Sequence, residues 1–390
     1  MIRRRFITKS KINIEDYCTV VALEDGWTVR METKAYYSID GSKWELVLAR
    51  SYTPPIKMGQ TISFCAVDED VSFSNNHVDS ALQKCELKGN IMSLIFGYDA
   101  KNKDELLTGR FTAKFSGWRG LVSVNSNFLP FTTLVDYCYS SMFSGCTSLV
   151  NAPELPATTL AEYCYNSMFN NCTSLVNAPE LPATTLANGC YSDMFDNCTS
   201  LVNAPELPAT TLAVYCYSDM FRGCSSLISA PELPATTLVN SCYDEMFFQC
   251  TNLNYIKALF TTAPSLTYTK NWVSYVPNTG TFVKNPEATW EIYGTSGIPD
   301  GWNVVMDGEE KELIKFYFFD NYDEIVLYAE QGMTWGEWID SEYKEDYPFS
   351  VDELDRDSVT YENNYWVGDD YGYVSTSDII VEDTYYFAMG

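Results

Sequence analysis

The chain has 390 residues, 46% of them apolar and 15% aromatic, and a formal net charge of −27. So apolar a chain is not a disordered one, and its length leaves room for about two to four domains. The acidic balance disfavours nucleic acid and anionic membrane as partners, and no run of about 18 apolar residues is present to span a bilayer.

The charge is uneven. Residues 291–390 hold 25 acidic and 4 basic side chains, whereas residues 1–128 hold 15 and 17. The last hundred residues therefore form a solvated, aggregation-resistant surface that favours cationic partners. At the other end, Met1-Ile2-Arg3-Arg4-Arg5 has the basic start of a signal peptide. It lacks an apolar core and a small-residue cleavage site, so synthesis in a cytoplasm without export by a standard route is expected. Thirteen cysteines, an odd number, then read as reduced thiols.

Residues 1–98 alternate short β runs with turns. Runs at 17–23, 27–31, 36–39, 44–48 and 61–67 surround Asp25-Gly26 and Asp40-Gly41, and Asp-Gly between β runs is a hairpin signal. A small β-sandwich is expected, ending in an apolar strand over 89–96 that could feed the repeats. Arg3, Arg4 and Arg5 read as a solvated terminus. His77 is the single histidine and reads as a surface loop residue. One histidine leaves no Ser-His-Asp or Cys-His nucleophile and no histidine-based zinc site.

Residues 129–253 write one 26-residue sentence five times; the second copy is LPATTLAEYCYNSMFNNCTSLVNAPE, residues 155–180. A divergent earlier copy stands at Phe115-Ser116-Gly117-Trp118, offset by 28 residues, with Trp118 where later copies have cysteine. Such a period means a solenoid in which each coil buries its apolar residues against the next. The inner columns are Leu149 to Leu253, Leu129 to Leu259 and Leu134 to Leu238, with Met142-Phe143 and Tyr139 and their equivalents. Leu-Val-Asn-Ala-Pro-Glu-Leu-Pro is expected to be extended, because Pro153 and Pro156 forbid a helix. Cys-Tyr-x-x-Met-Phe is expected to form one helical or 3₁₀ turn, stopped by Gly or Asn before the second cysteine. Ten cysteines fall in two series of period 26. Their Cys-x7-Cys spacing is not that of a zinc knuckle, so they read as buried packing groups with neither metal nor cofactor. Disulfides between adjacent coils stay geometrically open.

Binding candidates are exposed columns. Asn151, Asn177 and Asn203 form one, and Glu154, Glu180, Glu206 and Glu232 another. Positions that vary between copies mark further exposed sites. One set is Glu162-Tyr163, Asn188-Gly189, Val214-Tyr215 and Asn240-Ser241; a second is Asn170-Asn171, Asp196-Asn197, Arg222-Gly223 and Phe248-Gln249. Tyr163 and Tyr215 are the tyrosines of the first set.

The recurrent Met-Phe-x-x-Cys-x-Ser-Leu resembles the BspA-like leucine-rich repeats, the 26-residue surface-protein type, from Phe115 to about Leu259. The resemblance places a leucine-rich-repeat solenoid with caps at 99–306. Trp272, Phe282, Trp290 and Trp302 are expected to close its far end. Residues 255–306 look like the ending found after this repeat in proteins of gut bacteria and their phages.

Residues 307–390 read as a small acidic α+β domain of ββαβββ order, with a helix begun by Thr334 and Glu337 at capping-box spacing. The Gly-Met-Thr-Trp-Gly-Glu-Trp phrase looks like an accessory domain that recurs in phage structural proteins. Asp352-Glu353-x-Asp355-x-Asp357 lacks the central glycine and terminal glutamate of a calcium loop. The expected class is thus mainly β: an N-terminal β-sandwich (1–98), a central leucine-rich-repeat-like solenoid (99–306) and a C-terminal α+β domain (307–390). The resemblances imply a non-enzymatic phage virion protein: a fibre, a spike, or a decoration of capsid or tail. Its implied partners are other virion proteins and a host-surface receptor or glycan, without nucleic acid or membrane insertion, and homo-oligomerisation is compatible. Its place is the virion, assembled in the host cytoplasm. The alternatives are a bacterial cell-surface adhesin and a carbohydrate depolymerase.

Overall fold

The computed structural model describes residues 13–67, 70–73, 82–97, 106 and 108–308, and the backbone of five strands between residues 313 and 387. The structure is mainly β, with very few helical residues. It falls into two compact units, Met1–Asp307 and Gly308–Gly390.

The first unit begins with one mixed sheet. Its strands are β1 (Cys18–Ala22), β2 (Ala35–Ile39), β3 (Glu45–Val47), β4 (Thr61–Ala66), β5 (Cys85–Lys88) and β6 (Leu121–Val124). They lie in the order β3-β2-β4-β1-β5-β6, antiparallel except for the β5–β6 pair. Five consecutive buried residues in β4 mean that both faces of the sheet are covered there. Of the buried hydroxyls there, Thr19 Oγ1 and Ser63 Oγ lie 2.7 Å apart, whereas Ser38 Oγ on β2 is buried without a partner. β6 lies beyond residue 98, so the sheet runs on into the repeat region.

Two local expectations fail in this part. Within the strand expected over 89–96 the chain instead forms a short helix, α1 (Ser93–Phe96). Asn90 Oδ1 accepts the Met92 N–H at 2.9 Å and turns the chain out of the ladder. Ser93 then joins two strands, its Oγ donating to Phe64 O at 2.9 Å and accepting from Cys18 N at 2.8 Å. Residues 27–31 form no strand but pair through single bridges, Trp27 with Ile56, Arg30 with Tyr52 and Met31 with Phe73. The Asp25-Gly26 turn thus joins no hairpin, and β1 pairs with β4 and β5 instead.

From residue 109 onward, successive copies stack. Along 135–146 the apolar side chains turn inward in pairs: Cys138-Tyr139, then Met142-Phe143, then Cys146 are buried, and Ser140 between the pairs is buried as well. The amides alternate with them. Tyr137, Tyr139, Ser141, Phe143 and Gly145 donate their N–H to the carbonyls of Glu162, Cys164, Asn166, Met168 and Asn170 in the next coil, at 2.7–3.0 Å. Cys138, Ser140, Met142, Ser144 and Cys146 donate to the carbonyl three residues back, at 3.1–3.2 Å.

This segment is not the helical turn expected from Cys-Tyr-x-x-Met-Phe. A helix spends every N–H on itself and leaves none for the neighbouring coil. Here every fourth residue is left-handed: Tyr137 (φ 55°), Ser141 (φ 54°) and Gly145 (φ 75°), with equivalents in each later copy. For a non-glycine residue that conformation costs roughly 1–2 kcal/mol. A hydrogen bond returns roughly 0.5–1.5 kcal/mol net, so packing must supply the surplus.

The packing consists of identical groups in file. Phe115, Phe143, Phe169, Phe195, Phe221 and Phe247 stack with centroids 5.7–5.8 Å apart. Tyr139, Tyr165, Tyr191, Tyr217 and Tyr243 stack at 5.9–6.0 Å. The second cysteine series adds a weak bond per coil, from Cys146 Sγ to Phe115 O at 3.3 Å through Cys250 Sγ to Phe221 O at 3.0 Å. All thirteen thiols are buried and none is in a disulfide. Burial raises the pKa values of the ten repeat cysteines, those of Cys138, Cys164 and Cys242 to about 12.

Both ends of the files are covered. Gly109, Ala113 and Gly117 are also left-handed, and Ala113 N–H reaches Ser140 O. That step is 27 residues rather than 25, which absorbs the two-residue excess of the first copy. Phe111 sits under Tyr139 at 6.0 Å. At the far end Asn271 and Tyr275 repeat the left-handed pattern, and Phe247 N–H donates to Trp272 O. Trp272 packs against both Tyr243 and Phe247, and Phe260, Phe282, Trp290 and Trp302 are buried around it.

The Asn-Ala-Pro-Glu segment is extended, as its prolines require, but neighbouring copies meet only by single parallel bridges such as Asn177 with Asn203. Proline has no N–H to give to a ladder. Past the last of these prolines the same side of the stack becomes a parallel sheet, β7 (Tyr255–Ala258), β8 (Thr281–Lys284) and β9 (Asn303–Met306), in that order.

In the second unit β10 (Leu313–Asp320), β11 (Asp323–Glu330), β12 (Asn363–Val367), β13 (Asp370–Val374) and β14 (Tyr385–Phe387) form a sheet ordered β11-β10-β14-β12-β13. The helix expected near Thr334, the acidic run 352–357, His77 and Arg3–Arg5 lie outside the described residues.

Phe195→Ala, in the middle of the phenylalanine file, should lower stability by about 3–5 kcal/mol in urea unfolding. A thiol reagent at neutral pH should leave the native chain almost unmodified and modify all thirteen cysteines after denaturation. Rapid native labelling would contradict the buried thiol files.

Candidate functional site

The nine candidate residues lie on two different segments of the coil. Asn151, Asn177, Asn203, Glu154, Glu180, Glu206 and Glu232 are all exposed on the extended segment. Asn203 Nδ2 donates to Asn177 Oδ1 at 2.8 Å, one rung of an amide ladder. Exposed Val150, Val176, Val202 and Ile228 flank the asparagines. Between two successive coils lies an open groove of about 590 Å³, whose lining includes Val202, Asn203, Pro205, Glu206, Pro231 and Glu232. The glutamate column ends in a cation: Lys257 Nζ lies 3.2 Å from Glu232 and 3.0 Å from Asp307.

Tyr163 and Tyr215 do not line this groove. They belong to the turn segment, whose outward pairs make three parallel columns. The first holds Asp136-Tyr137, Glu162-Tyr163, Asn188-Gly189, Val214-Tyr215 and Asn240-Ser241. Tyr137 and Tyr215 are 44% and 41% exposed, and the rings of Tyr137 and Tyr163 stack at 5.2 Å with a 12° tilt. Gly189 makes room for them: a Cβ there would lie 2.3 Å from the Tyr163 ring.

The middle column was not among the sequence candidates. It runs from Ser140-Ser141 through Ser192-Asp193 and Ser218-Asp219 to Asp244-Glu245. Its signal was available, since these pairs sit four residues before the second variable set. The third column holds Asp196, Arg222 and Phe248. Arg222 serves several partners: it lies 3.6 Å from Asp219, 3.8 Å from Glu245, and 5.1 Å over the Phe248 ring.

The acids of these two columns are crowded. Asp196 Oδ2 accepts from Asn170 Nδ2 at 2.7 Å, but its Oδ1 is buried without a partner. Burial, set against the attraction of Arg222 and joined by repulsion from Asp193 and Asp219, raises the Asp196 pKa to about 6. Burial likewise raises Asp219 to about 6, with the Ser218 hydroxyl opposing it. Among the described residues no group of three His, Cys, Asp or Glu is arranged to hold a metal ion.

Between about pH 4 and pH 6 the folded state binds protons that the unfolded state has released, so stability falls as pH rises through that window. Asp196→Asn should therefore raise the unfolding free energy above pH 6 by about 1–3 kcal/mol. The gain should vanish as the pH approaches 4. Urea titrations at pH 4, 5.5 and 7.5 measure this, and an equal gain at all three would refute it.

Comparison of the chain with protein-family models, with curated proteins and with solved structures finds no match.

Proposed function

We propose that this chain is a non-enzymatic structural protein of a bacteriophage virion, a fibre, spike, or capsid or tail decoration that recognises the host surface. In this reading an N-terminal β-sandwich, a BspA-like leucine-rich-repeat solenoid and an acidic C-terminal α+β domain occupy residues 1–98, 99–306 and 307–390. The observation that carries the reading is the division of labour within each coil. The inward pairs Cys-Tyr and Met-Phe are the same in all five copies, while the outward pairs change from Asp136-Tyr137 to Asn240-Ser241. A rigid stack with variable outward columns suits binding through an extended surface. Thirteen neutral, buried thiols suit a protein assembled in a reducing cytoplasm. The partners in this reading are other virion proteins and a host-surface receptor or glycan. The resemblance of the repeats to the BspA-like type points to a surface role and supplies the competing reading, a bacterial cell-surface adhesin.

Mass spectrometry of gradient-purified virions should detect the chain at a defined copy number. Its absence from virions, with its presence on bacteria grown without phage, would overturn the virion reading in favour of the adhesin.

A further inference from the structure

We infer that the outward tyrosine column, Tyr137, Tyr163 and Tyr215, binds a neutral glycan chain laid along the stack; this rests on the host-recognition reading above and names its ligand.

The first observation is a bulky residue where the stack asks only for a left-handed one. Tyr137, Tyr163 and Tyr215 have φ of 55°, 51° and 57°. Bulky side chains rarely adopt that region, and glycine adopts it freely. Gly189 occupies the same position in the intervening coil at φ 57°, so the fold itself asks for no ring there. Nor do these rings build the core. That is done by the separate file of Tyr139 and its equivalents, which are 0–2% exposed. Tyr137 and Tyr215 instead leave 44% and 41% of their surface to solvent, and Tyr163 is half-buried. Tyr163 leans over Gly189, where its ring takes the space a Cβ would need, and the next outward ring, Tyr215, stands two coils further on.

The second observation is the polar company. Asp136, Glu162, Asn188 and Asn240 each precede the column residue in their own coil, and all four are exposed. Asn188 Nδ2 donates to Glu162 Oε1 at 3.2 Å, which aligns an amide and a carboxylate beside the rings. Aromatic faces carry negative potential and attract the C–H groups of a sugar ring, while carboxylates and amides accept and donate to its hydroxyls. Aromatic surface with a few placed polar groups is the general make-up of a small-ligand site.

Charge selects the class of glycan. Arg222 is the single basic residue between residues 129 and 254, and it is already engaged by Asp219, Glu245 and Phe248. Among the described residues of the first coil, Arg110 is paired with Asp70 and Lys114 donates to Val71 O, while Asp136 and Glu162 beside the tyrosines would repel a uronate or a sialate.

The test uses the full chain and affinity electrophoresis through mannan, dextran, galactan, alginate, hyaluronan or polylysine. The expected result is retardation by at least one neutral polysaccharide and by neither polyanion. Tyr215→Gly should weaken that binding at least tenfold and yet melt no lower than the parent, because glycine relaxes the left-handed position. Tyr163→Gly should weaken binding to a similar extent. Three outcomes would overturn the inference: no retardation by any neutral polysaccharide, preference for a polyanion or a retardation by polylysine that both tyrosine variants abolish, or binding unchanged in both variants. A lowered melting point in Tyr215→Gly would also do so, by giving the ring a structural role. None of these results alters the presence of the chain in virions, so failure here and failure of the virion reading are distinguishable.

Discussion

Every second amide of the turn segment is given to the next coil, and the rest of the first unit follows from that. An amide can face along the stack only if the peptides on either side face across it. A left-handed residue every fourth position achieves this, and the same geometry turns side chains inward and outward by twos. The coil is then self-sufficient in neither hydrogen bonds nor apolar burial. It needs a neighbour whose residues match its own, which is why Phe stacks on Phe and Tyr on Tyr through the whole array. Stability in such a chain is a sum of coil and interface terms, and the terminal interfaces must be closed. Phe111 and Phe115 close one end, and Trp272 with its aromatic neighbours closes the other.

The cysteines follow the same rule. A residue at the second cysteine position must be small, must tolerate complete burial, and sits within reach of a phenylalanine carbonyl in the preceding coil. A thiol meets all three conditions with a weak donor that costs little to bury. Serine would bring a stronger hydroxyl whose remaining hydrogen-bonding capacity goes unmet. The conditions that make the thiols good packing groups also keep them protonated, so repetition of cysteine here is a matter of volume and of one weak bond per coil.

Much of this could be read from the amino acids. The period of 26, the inner columns, the divergent first copy and the aromatic closure near Trp272 are all properties of a single line of text, because repetition displays what is buried. The prolines of Asn-Ala-Pro-Glu likewise announce an extended segment. The turn segment was harder. Buried pairs at 138–139 and 142–143 recur every four residues, close enough to a helical period to suggest one turn of helix. What decides against it is a set of hydrogen bonds to residues 25 positions away, and no local propensity encodes those. The residues at 91–96 misled for a related reason: their apolarity serves a short helix pinned by Ser93 between two strands. Of the binding candidates, the two tyrosines stand out because their coil equivalents are so unlike them. The middle column of Ser, Asn and Asp is not legible by residue type, because small polar residues look alike until the geometry shows which are buried, as Ser140, Ser192 and Ser218 are, and which are half-exposed.

The sameness of the interior has a consequence for how such a protein changes over generations. Each interface inside the array joins nearly identical surfaces, so deletion or duplication of 26 residues in register would leave every remaining coil, and both closures, facing the partners they already have. Near-identical coding segments are prone to unequal recombination, and here its products would be folded chains that differ in coil number. Reach and valency would then vary in whole coil steps while the outward pairs drift independently. The fold tolerates both kinds of change because its constraints lie on the other side of the backbone.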